Sequence, residues 1–268
     1  MNKIRDILRE ATGRIGDHRL AEAVNGVYES SSSRETILLT KDFWDRLTTN
    51  TWPQETLRFF ASGWHDLHQS AFFVAGLQVR LQRDAASWSP EHLPDLIHAS
   101  SELAEIISED TGVDGTPHDE LYRNFARSLT GDDLWSLDRY TVPACKTFRI
   151  YVRESRLSAP ISNAILAVAA SEQWNTAEYS LCSQLMKNWQ PSEAVHHCRL
   201  DLEYVDVHAG ETELGHLLHA LNAWRFFLKT DPTADQISDV STIFQHHIDQ
   251  VKLAYLGLHH VLDNTKFH

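Results

Sequence analysis

Apolar residues recur every three or four positions along most of this chain, a pattern typical of amphipathic α-helices. One clear run lies between Trp52 and Gln82, where Pro53 stands near the start, as proline does in a first helical turn. The apolar positions of this run share one helical face, and they are Leu57, Phe60, Trp64, Leu67, Ala71, Val74, Leu77 and Leu81. The pattern predicts a single helix over this segment.

The same signals predict helices along the rest of the chain. One helix follows Pro90 and runs to about Asp110, and after a break at Thr111–Pro117 another runs from His118 to about Ser128. Further helices are predicted from Pro143 to about Ser155, from Pro160 through Glu172, from Asn175 to Trp189, over Ser192–Lys229 with its centre at Leu200–Phe227, and over Pro232–His260.

Strands are almost absent from this pattern. Residues 1–35 read as helical with Ser30–Ser33 as a polar linker, and Thr36–Thr40 is the only short β-like run. The prediction is an all-α fold of about seven to nine helices in one domain. The domain covers residues 1–268 and divides into N-terminal helices over 1–35, a metal-binding core over 40–230 and a C-terminal helix over 232–262. Helical bundles hold metals and cofactors between facing helices.

Composition excludes several classes of function. The net charge is −13 with histidine neutral, so no basic face is available for nucleic acid or for an anionic membrane surface. No apolar run approaches the length of a membrane span, and the N-terminus lacks the apolar core of a signal peptide. The three cysteines contain no CxxC pair and favour a reducing compartment. We expect a cytoplasmic protein without nucleic-acid or membrane partners.

Histidine is the outlier of the composition, with 16 residues, and several of them lie in one predicted helix around Leu214. On a helical wheel at about 100° per residue, Asp206, Glu213 and His216 fall on one side together with apolar residues. Buried charges must be paired, hydrogen-bonded or bound to a metal. Glu213 and His216 also have the i, i+3 spacing by which one helix offers two ligands to a metal.

Two points about this helix stay open in the sequence. The acids could form a buried ion pair with Arg225 or Arg199 and bind no metal. His208 and His219 fall on a different side of the wheel, which has few large apolar residues and is typical of a solvent or cleft face.

Other carboxylates and a histidine stand in a supporting order. Glu109 closes one helix, a Gly-containing break follows, and His118 opens the next helix, so both side chains can reach one point. Glu172 ends a strongly apolar helix. Each of these residues also fits an ordinary solvated position at a helix end. Together with Glu213 and His216 they form a carboxylate-rich set, which suits iron or manganese better than structural zinc.

At this point the chain resembles a known family, the heme-oxygenase-like di-iron oxidases or iron-containing redox enzymes. Their helices carry a Glu, a Gly-rich break and a His, then a Glu at the end of an apolar helix, then His-x3-Asp-x2-His. Glu109 and the run His118-Asp119-Glu120-Leu121-Tyr122 resemble the first part. Glu172 lies 54 residues beyond His118, a spacing similar to that of the family. The resemblance covers roughly residues 40–230.

The last motif departs from the family pattern. Glu213-x2-His216 would stand for Asp-x2-His, and the first His of the motif would then fall at Ala209. His208 is one residue away, and a π-bulge between positions 208 and 213 would bring it into place. Otherwise Asp206 is the substitute ligand.

The resemblance implies a heme-oxygenase-like helical bundle with two Fe(II) ions per chain. The implied metal ligands are Glu109, His118, Glu172, His208, Glu213 and His216. The implied activity is an O2-dependent oxidation of a small amine, amino acid or fatty-acid-like metabolite, by N-oxygenation or oxidative carbon–carbon cleavage. The implied partners are this small-molecule substrate and O2, and a homodimer is compatible with the sequence. Arg149, Arg153 and Arg225 are candidates for binding a substrate carboxylate.

Relatives of the same fold supply alternatives. A thiaminase-like enzyme needs a nucleophilic Cys, and Cys145 near the helix start at Pro143 is the best candidate. A cofactor-independent enzyme resembling the quinone-cofactor synthase is a related alternative. Heme binding would need a histidine near the N-terminus, where His18 is the candidate. A helical interaction protein without catalysis would instead place its His and Glu clusters toward solvent.

Overall fold

The computed structural model describes residues 3–85, 87–113, 115–191, 200–230 and 236–264, with the backbone alone at 236–238. The helices are α1 (Lys3–Gly13), α2 (His18–Tyr28), α3 (Ser31–Thr48), α4 (Gln54–His68), α5 (Ala71–Ala85), α6 (Leu93–Asp110), α7 (His118–Thr130), α8 (Pro143–Leu157), α9 (Ile161–Met186), α10 (Glu203–His208), α11 (Glu211–Leu228) and α12 (Gln236–Asn264), with 3₁₀ turns at Leu134–Ser136 and Asp138–Tyr140. None of the described residues lies in a β-strand, which confirms the predicted all-α fold.

Helix α9 is the centre of the arrangement. It packs against α11, α1, α12, α8 and α10, and apolar side chains are buried around its whole circumference. A helix that is apolar on all sides is one that other helices surround. The remaining helices pack around this group, α4 against α7 and α8, α5 against α6 and α8, and α3 against α12.

The continuity of α9 differs from the sequence prediction of two helices meeting near Glu172. The polar residues that suggested an end are buried instead, because each finds a partner within the core. Ser171 donates its hydroxyl hydrogen bond to the backbone carbonyl of Ala167. Gln173 donates to the hydroxyl of Thr12 in α1 at 2.6 Å. The helix therefore continues through this stretch and carries Glu172 in its middle.

Two predicted helices are in fact divided. The run from Trp52 to Gln82 forms α4 and α5, with a break at Gln69 and Ser70, and the side-chain amide of Gln69 donates to Asp119 of α7. The described part of Ser192–Lys229 forms α10 and α11, and residues 192–199 lie outside the described part. The apolar spacing continues across both breaks because each pair of helices faces the same core.

The N-terminal region is helical, as predicted, but its two proposed exceptions are wrong. Ser30 is not part of a linker, since its side chain accepts a hydrogen bond from the backbone N–H of Ser33 and caps α3. The β-like run Thr36–Thr40 lies inside α3, where the Thr36 hydroxyl donates to the Ser32 carbonyl. With α1, α2 and α3 and the division of two predicted helices, the structure describes more helices than the seven to nine expected. The C-terminal helix begins at Gln236, and Pro232 lies outside the described residues.

The buried apolar side chains form a continuous cluster that includes a group of large aromatic rings. Trp44 and Trp64 are completely buried and meet with ring centroids 5.3 Å apart, and Phe60 stacks on Trp64 at 5.7 Å. Among the described helices, none combines the length and the apolar character that crossing a membrane requires. The length and hydrophobicity of these helices fit the interior of a bundle.

The close crossing of α4 with α8 and α12 requires a glycine. A Cβ atom at Gly63 would lie 2.9 Å from Leu258 and from Val142, and 3.2 Å from the sulfur of Cys145. At Gly26 in α2, by contrast, a Cβ atom would meet nothing within 4 Å. Gly63 is therefore buried in a tight contact, whereas Gly26 is exposed with free space beside it.

We predict that Gly63→Ala destabilises the protein by about 1–3 kcal/mol, because the added methyl group overpacks the crossing. The control Gly26→Ala should be neutral or stabilising by up to about 1 kcal/mol, since alanine favours a helix over glycine. Urea unfolding followed by circular dichroism measures both. Equal unfolding midpoints for the two variants would contradict the close crossing.

Candidate metal centre

Six side chains form two adjacent groups of potential metal ligands. The first group is Asp110, His118 and His208, and the second is Glu172, Glu213 and His216. Within each group the three ligand atoms lie within 4.8 Å of one another. The groups meet where Nε2 of His208 lies 3.7 Å from a carboxylate oxygen of Glu213. The arrangement offers two neighbouring sites with three protein ligands each.

The first group is assembled from three helix ends. Asp110 ends α6 and His118 begins α7, and the turn between them starts with Gly112 at a positive φ of 70°, a common way to end a helix. This turn brings Nδ1 of His118 to 3.0 Å from the Asp110 carboxylate. His208 ends α10, and its ring centroid lies 4.3 Å from that of His118.

The His208 ring is oriented by its own helix. Its Nδ1 lies 2.6 Å from the backbone carbonyl of Tyr204, so Nδ1 carries the proton and donates to this oxygen. Nε2 is then left with a lone pair on the side of Glu213. Burial, followed by the charge of His118, lowers the pKa of His208 well below its ordinary value, so the imidazole is neutral. A neutral imidazole with a free Nε2 is the form that binds a metal.

A helix break brings His208 into this group. The break falls at Ala209 and Gly210, between α10 and α11, and Gly210 has φ 100° and ψ −121°. On one continuous helix, positions 208 and 213 would point about 140° apart. The break removes this constraint, so it serves in place of the π-bulge expected from the sequence.

The second group lies deeper in the core. Glu172 comes from the middle of α9, and Glu213 and His216 come from the first turns of α11, all three buried. Nδ1 of His216 lies 3.8 Å from Glu172. In the described residues, no Lys or Arg nitrogen lies within salt-bridge distance of the Glu172 or Glu213 carboxylate.

Among the described residues, the alternative of an ion pair with Arg225 is therefore not what balances these acids. Arg225 lies beside a separate surface pocket with Asp17 and Lys229. Arg199 lies outside the described residues. The fully buried guanidinium of Arg156 donates to Ser171 and to backbone carbonyls, and it acts on Glu172 only through its charge.

The charges of the second group depend on one another. Burial and the Glu172 carboxylate raise the pKa of Glu213 well above its ordinary value. Burial would raise the pKa of Glu172 as well, but the hydrogen bond and charge of His216 outweigh it and lower this pKa. Burial would lower the pKa of His216, but its contacts with Glu109 and Glu172 raise it to about 12. Without a metal, protons on Glu213 and His216 balance the charge of the group.

Two buried polar atoms in these groups have no hydrogen-bond partner among the described residues, and they indicate whether a cation fits. The second oxygen of Glu213 is buried and has no hydrogen-bond partner among the described residues. Nδ1 of His118 is buried too, and although Asp110 is close, the two are not oriented to form a hydrogen bond. Buried polar atoms without partners are rare in native proteins. A cation in each group would satisfy both atoms, so the residues fit a metal.

Glu109 has a different position from the one predicted. Its side chain is 49% exposed and belongs to neither group, but its carboxylate accepts a hydrogen bond from Nε2 of His216 at 3.0 Å. It therefore fixes the His216 ring and leaves Nδ1 for a metal, as outer carboxylates often do for metal-binding histidines. Its neighbour Asp110 is the member of the first group.

The sequence contained a signal for Asp110 that was missed. The buried residues of α6 are Leu96, Ala99, Leu103 and Ile106, and the same three-and-four spacing reaches Asp110 next. Glu109 lies about 100° away on the wheel. Burial periodicity thus identifies the inward carboxylate, whereas family spacing alone does not.

Asp206, the substitute ligand, is also placed differently. It is exposed on α10, accepts a hydrogen bond from the Ser183 hydroxyl at 2.7 Å, and belongs to neither group. The wheel placed it beside Glu213 because it assumed one continuous helix. His219 faces outward, as expected, and contacts Glu102 at 2.7 Å.

A cavity of about 440 Å³ leads to both groups. His118, His208, Glu172 and Glu213 line one part of it. Other lining residues are His65, His68, Gln69, Ser70, Ala71, Phe72, Phe73, Asp110, Thr111, Pro117, Asp119, Tyr122, Arg149, Asn175, Tyr179 and Tyr204. The lining combines polar and charged groups with apolar and aromatic side chains such as Phe73 and Tyr179, and this combination suits a small organic molecule.

The side chains proposed for the alternative activities lie elsewhere. Cys145 is completely buried beside the Ala254 carbonyl, and burial raises the pKa of its thiol well above the ordinary value. Cys182 is buried with a raised pKa as well, and Cys198 lies outside the described residues. His18 is exposed on α2 next to Glu22. Cys145 and Cys182 are not accessible thiolates, and His18 lines none of the cavities described above.

Comparison with known proteins supports the fold. No protein-family model matches this chain, and no curated protein matches it. Among solved structures, it is similar to a TenA homolog from Pseudomonas syringae pv. tomato str. DC3000, with a TM-score of 0.59 and 13% sequence identity. The match covers 86% of this chain and 93% of that one. The chain therefore shares the all-helical fold of this TenA homolog.

We predict that Gly210→Ala destabilises the protein by about 1–3 kcal/mol, because its backbone angles are accessible almost only to glycine. The matched control is Gly215→Ala in α11, where a Cβ atom meets nothing within 4 Å and the backbone is helical. This control should be neutral or slightly stabilising. Thermal unfolding measures both variants, and an unchanged melting temperature for Gly210→Ala would argue against the helix break.

Proposed function

We propose that this protein is a non-heme di-iron, O2-dependent oxidase or oxygenase. Its substrate in this proposal is a small amine, amino acid or fatty-acid-like metabolite, which undergoes N-oxygenation or oxidative carbon–carbon cleavage. The observation that carries the proposal is the pair of three-ligand groups joined by Glu213 and His208 at 3.7 Å. The family resemblance of the sequence and the fold similarity are consistent with it.

The ligand types favour iron. Asp110, His118 and His208 form a set of two histidines and one carboxylate, the combination that non-heme Fe(II) oxygenases use. Glu172, Glu213 and His216 form a carboxylate-rich set, as in the di-iron proteins of helical bundles. Structural zinc sites prefer Cys and His and are closed by four protein ligands. Three ligands per group leave positions open for other molecules.

The chain's own residues prepare these groups for a metal. Tyr204 and Glu109 hold the rings of His208 and His216 so that one nitrogen of each faces its group. Burial of Glu172 and Glu213 excludes water and strengthens their attraction for a cation. When bound, two ferrous ions would supply the electrons that reduce O2.

The cavity supports an organic substrate beside the groups. Its aromatic walls, which include Phe73 and Tyr179, suit an apolar or aromatic body. Arg149 lines the same cavity and pairs with Asp66 at 3.1 Å, and it is the one of the three cationic candidates placed to meet a substrate carboxylate there. Arg153 pairs with its neighbour Glu154 on the exposed side of α8.

Two alternative functions, a non-catalytic interaction protein and a thiaminase-like enzyme, predict different positions for the key side chains. A non-catalytic interaction protein would turn its acids and histidines toward solvent, yet Glu172, Glu213, His208 and His216 are buried. A thiaminase-like enzyme has support at the level of the fold, through the TenA homolog. Its proposed nucleophile, Cys145, is buried outside the cavity, so the ligand groups favour the di-iron proposal.

We predict that anaerobic titration loads two Fe(II) per chain, measured by metal analysis after removal of free iron. Asp110→Ala and Glu213→Ala should each lose at least one ion, because each removes one of three ligands from a group. Glu211→Ala is the matched control, since Glu211 lies on the same helix as Glu213 but is exposed. It should bind as much iron as the natural chain.

If the natural chain binds no iron, or if Asp110→Ala and Glu213→Ala bind as much as Glu211→Ala, the two groups are not iron sites.

We also predict that the Fe(II)-loaded chain reacts with O2 and develops a transient visible absorption that the metal-free chain lacks. Stopped-flow absorption and an oxygen electrode follow the reaction. Asp110→Ala should lose the transient even where it retains one ion, because a single iron supplies fewer electrons than a pair. Iron that binds but stays ferrous in air would contradict an O2-activating role.

A further inference from the structure

A further buried carboxylate lies outside the two ligand groups. Glu178, on α9, is completely buried. It accepts hydrogen bonds from the indole N–H of Trp64 and of Trp174, both at 2.8 Å, and from the Tyr255 hydroxyl at 2.5 Å. Its fourth partner is Nε2 of His68, at 3.2 Å.

These donors keep Glu178 charged. Burial would raise its pKa, but the contact with His68 and the hydrogen bonds donated by Tyr255 and Trp64 outweigh burial and lower the pKa. Trp44 donates to the Tyr255 oxygen at 3.0 Å, so the Tyr255 proton points to Glu178. A buried carboxylate with four donors is costly to assemble and well satisfied once it exists.

His68 is the one member of this network that reaches the cavity. It is the last residue of α4, its side chain is only 3% exposed, and it lines the cavity that leads to the ligand groups. Its ring packs against Trp64 at 5.1 Å and Tyr179 at 4.8 Å, which holds it in place. Its Nδ1 is buried without a hydrogen-bond partner among the described residues.

The contact with Glu178 decides the chemistry of this free nitrogen. Because the carboxylate accepts from Nε2, the neutral ring carries its proton there and presents a lone pair at Nδ1. Asp119 also lines the cavity, and it contacts His65 and Gln69.

We propose that His68, held by Glu178, is the hydrogen-bond acceptor that receives an N–H or O–H group of the organic substrate. The substrate class is then an apolar or aromatic molecule with a hydrogen-bond donor at one edge, lying between Phe73 and Tyr179. The proposal rests on the proposed function, since it treats this cavity as the substrate chamber. It adds a recognition residue that binds no metal.

Indole and benzofuran form a probe pair of nearly equal shape, and only indole carries an N–H group. We expect the metal-free chain to bind indole about fivefold more tightly than benzofuran, because only indole can donate to the acceptor. Titration calorimetry or ligand-observed NMR measures the two dissociation constants.

His68→Phe should remove the preference for indole, because phenylalanine keeps the ring but has no acceptor. The matched control is His65→Phe, one helical turn away in α4 and also lining the cavity, which should keep the preference. Circular dichroism and melting temperature show whether each variant folds. ¹⁵N NMR of the natural chain gives a second measurement, independent of the variants, with Nε2 protonated and Nδ1 unprotonated at His68.

Three results would overturn the role of His68: equal affinities for the two probes or no binding of either, a preference that survives in folded His68→Phe, or a protonated Nδ1. Iron titration separates this outcome from the proposed function. A chain that binds two irons without an indole preference refutes only the His68 role. A chain that prefers indole but binds no iron refutes the di-iron proposal and leaves the acceptor in place.

Discussion

The burial of Glu213 beside Glu172 is the constraint on which the rest of this structure depends. Two carboxylates cannot both be charged in an apolar core unless a proton, a cation or a metal lies with them. The raised pKa of Glu213, and that of His216 at about 12, show how protons fill this need in the metal-free chain. In the described residues no Lys or Arg forms a salt bridge with either acid, and the cation beside them in the metal-free chain is His216, 3.8 Å from Glu172. A metal that binds there takes the place of the protons, and its affinity therefore includes the cost of removing them.

Two backbone features make this burial possible. The unbroken α9 carries Glu172 into the centre of the molecule, where a helix ending at this residue would have left it near solvent. The break at Gly210 lets α10 and α11 turn independently, so that His208 and Glu213 face each other. The same α9 carries Glu178 farther along, where it holds His68 at the wall of the cavity. One helix thus positions Glu172 of the second candidate group and the anchor of the inferred substrate contact.

Much of the fold follows from apolar spacing, because a helix that packs on a core must repeat its apolar face. The starts of α7 and α8 and the end of α6 at Asp110 fall where the sequence placed them. Helix continuity was harder to predict, since it depends on tertiary partners. Gln173 stays helical because Thr12 accepts its hydrogen bond, and the chain turns at Gln69 although the apolar pattern continues past it.

Part of the candidate site could be predicted from the sequence, because some of its residues lie within one helix. The i, i+3 pair Glu213 and His216 was visible because both residues lie within one helix, and the structure brings them together with Glu172. Asp110 was missed in favour of Glu109, since family spacing was given more weight than the burial pattern of α6. Asp206 was predicted to lie beside Glu213 because the helical wheel treated α10 and α11 as one helix.

Whether these groups hold iron is tested most directly by a crystal structure of the anaerobically Fe(II)-loaded chain, with anomalous diffraction collected at the iron absorption edge. We expect two anomalous peaks, one in contact with each ligand group. Peaks elsewhere, or an empty centre in a chain that has bound iron, would contradict it.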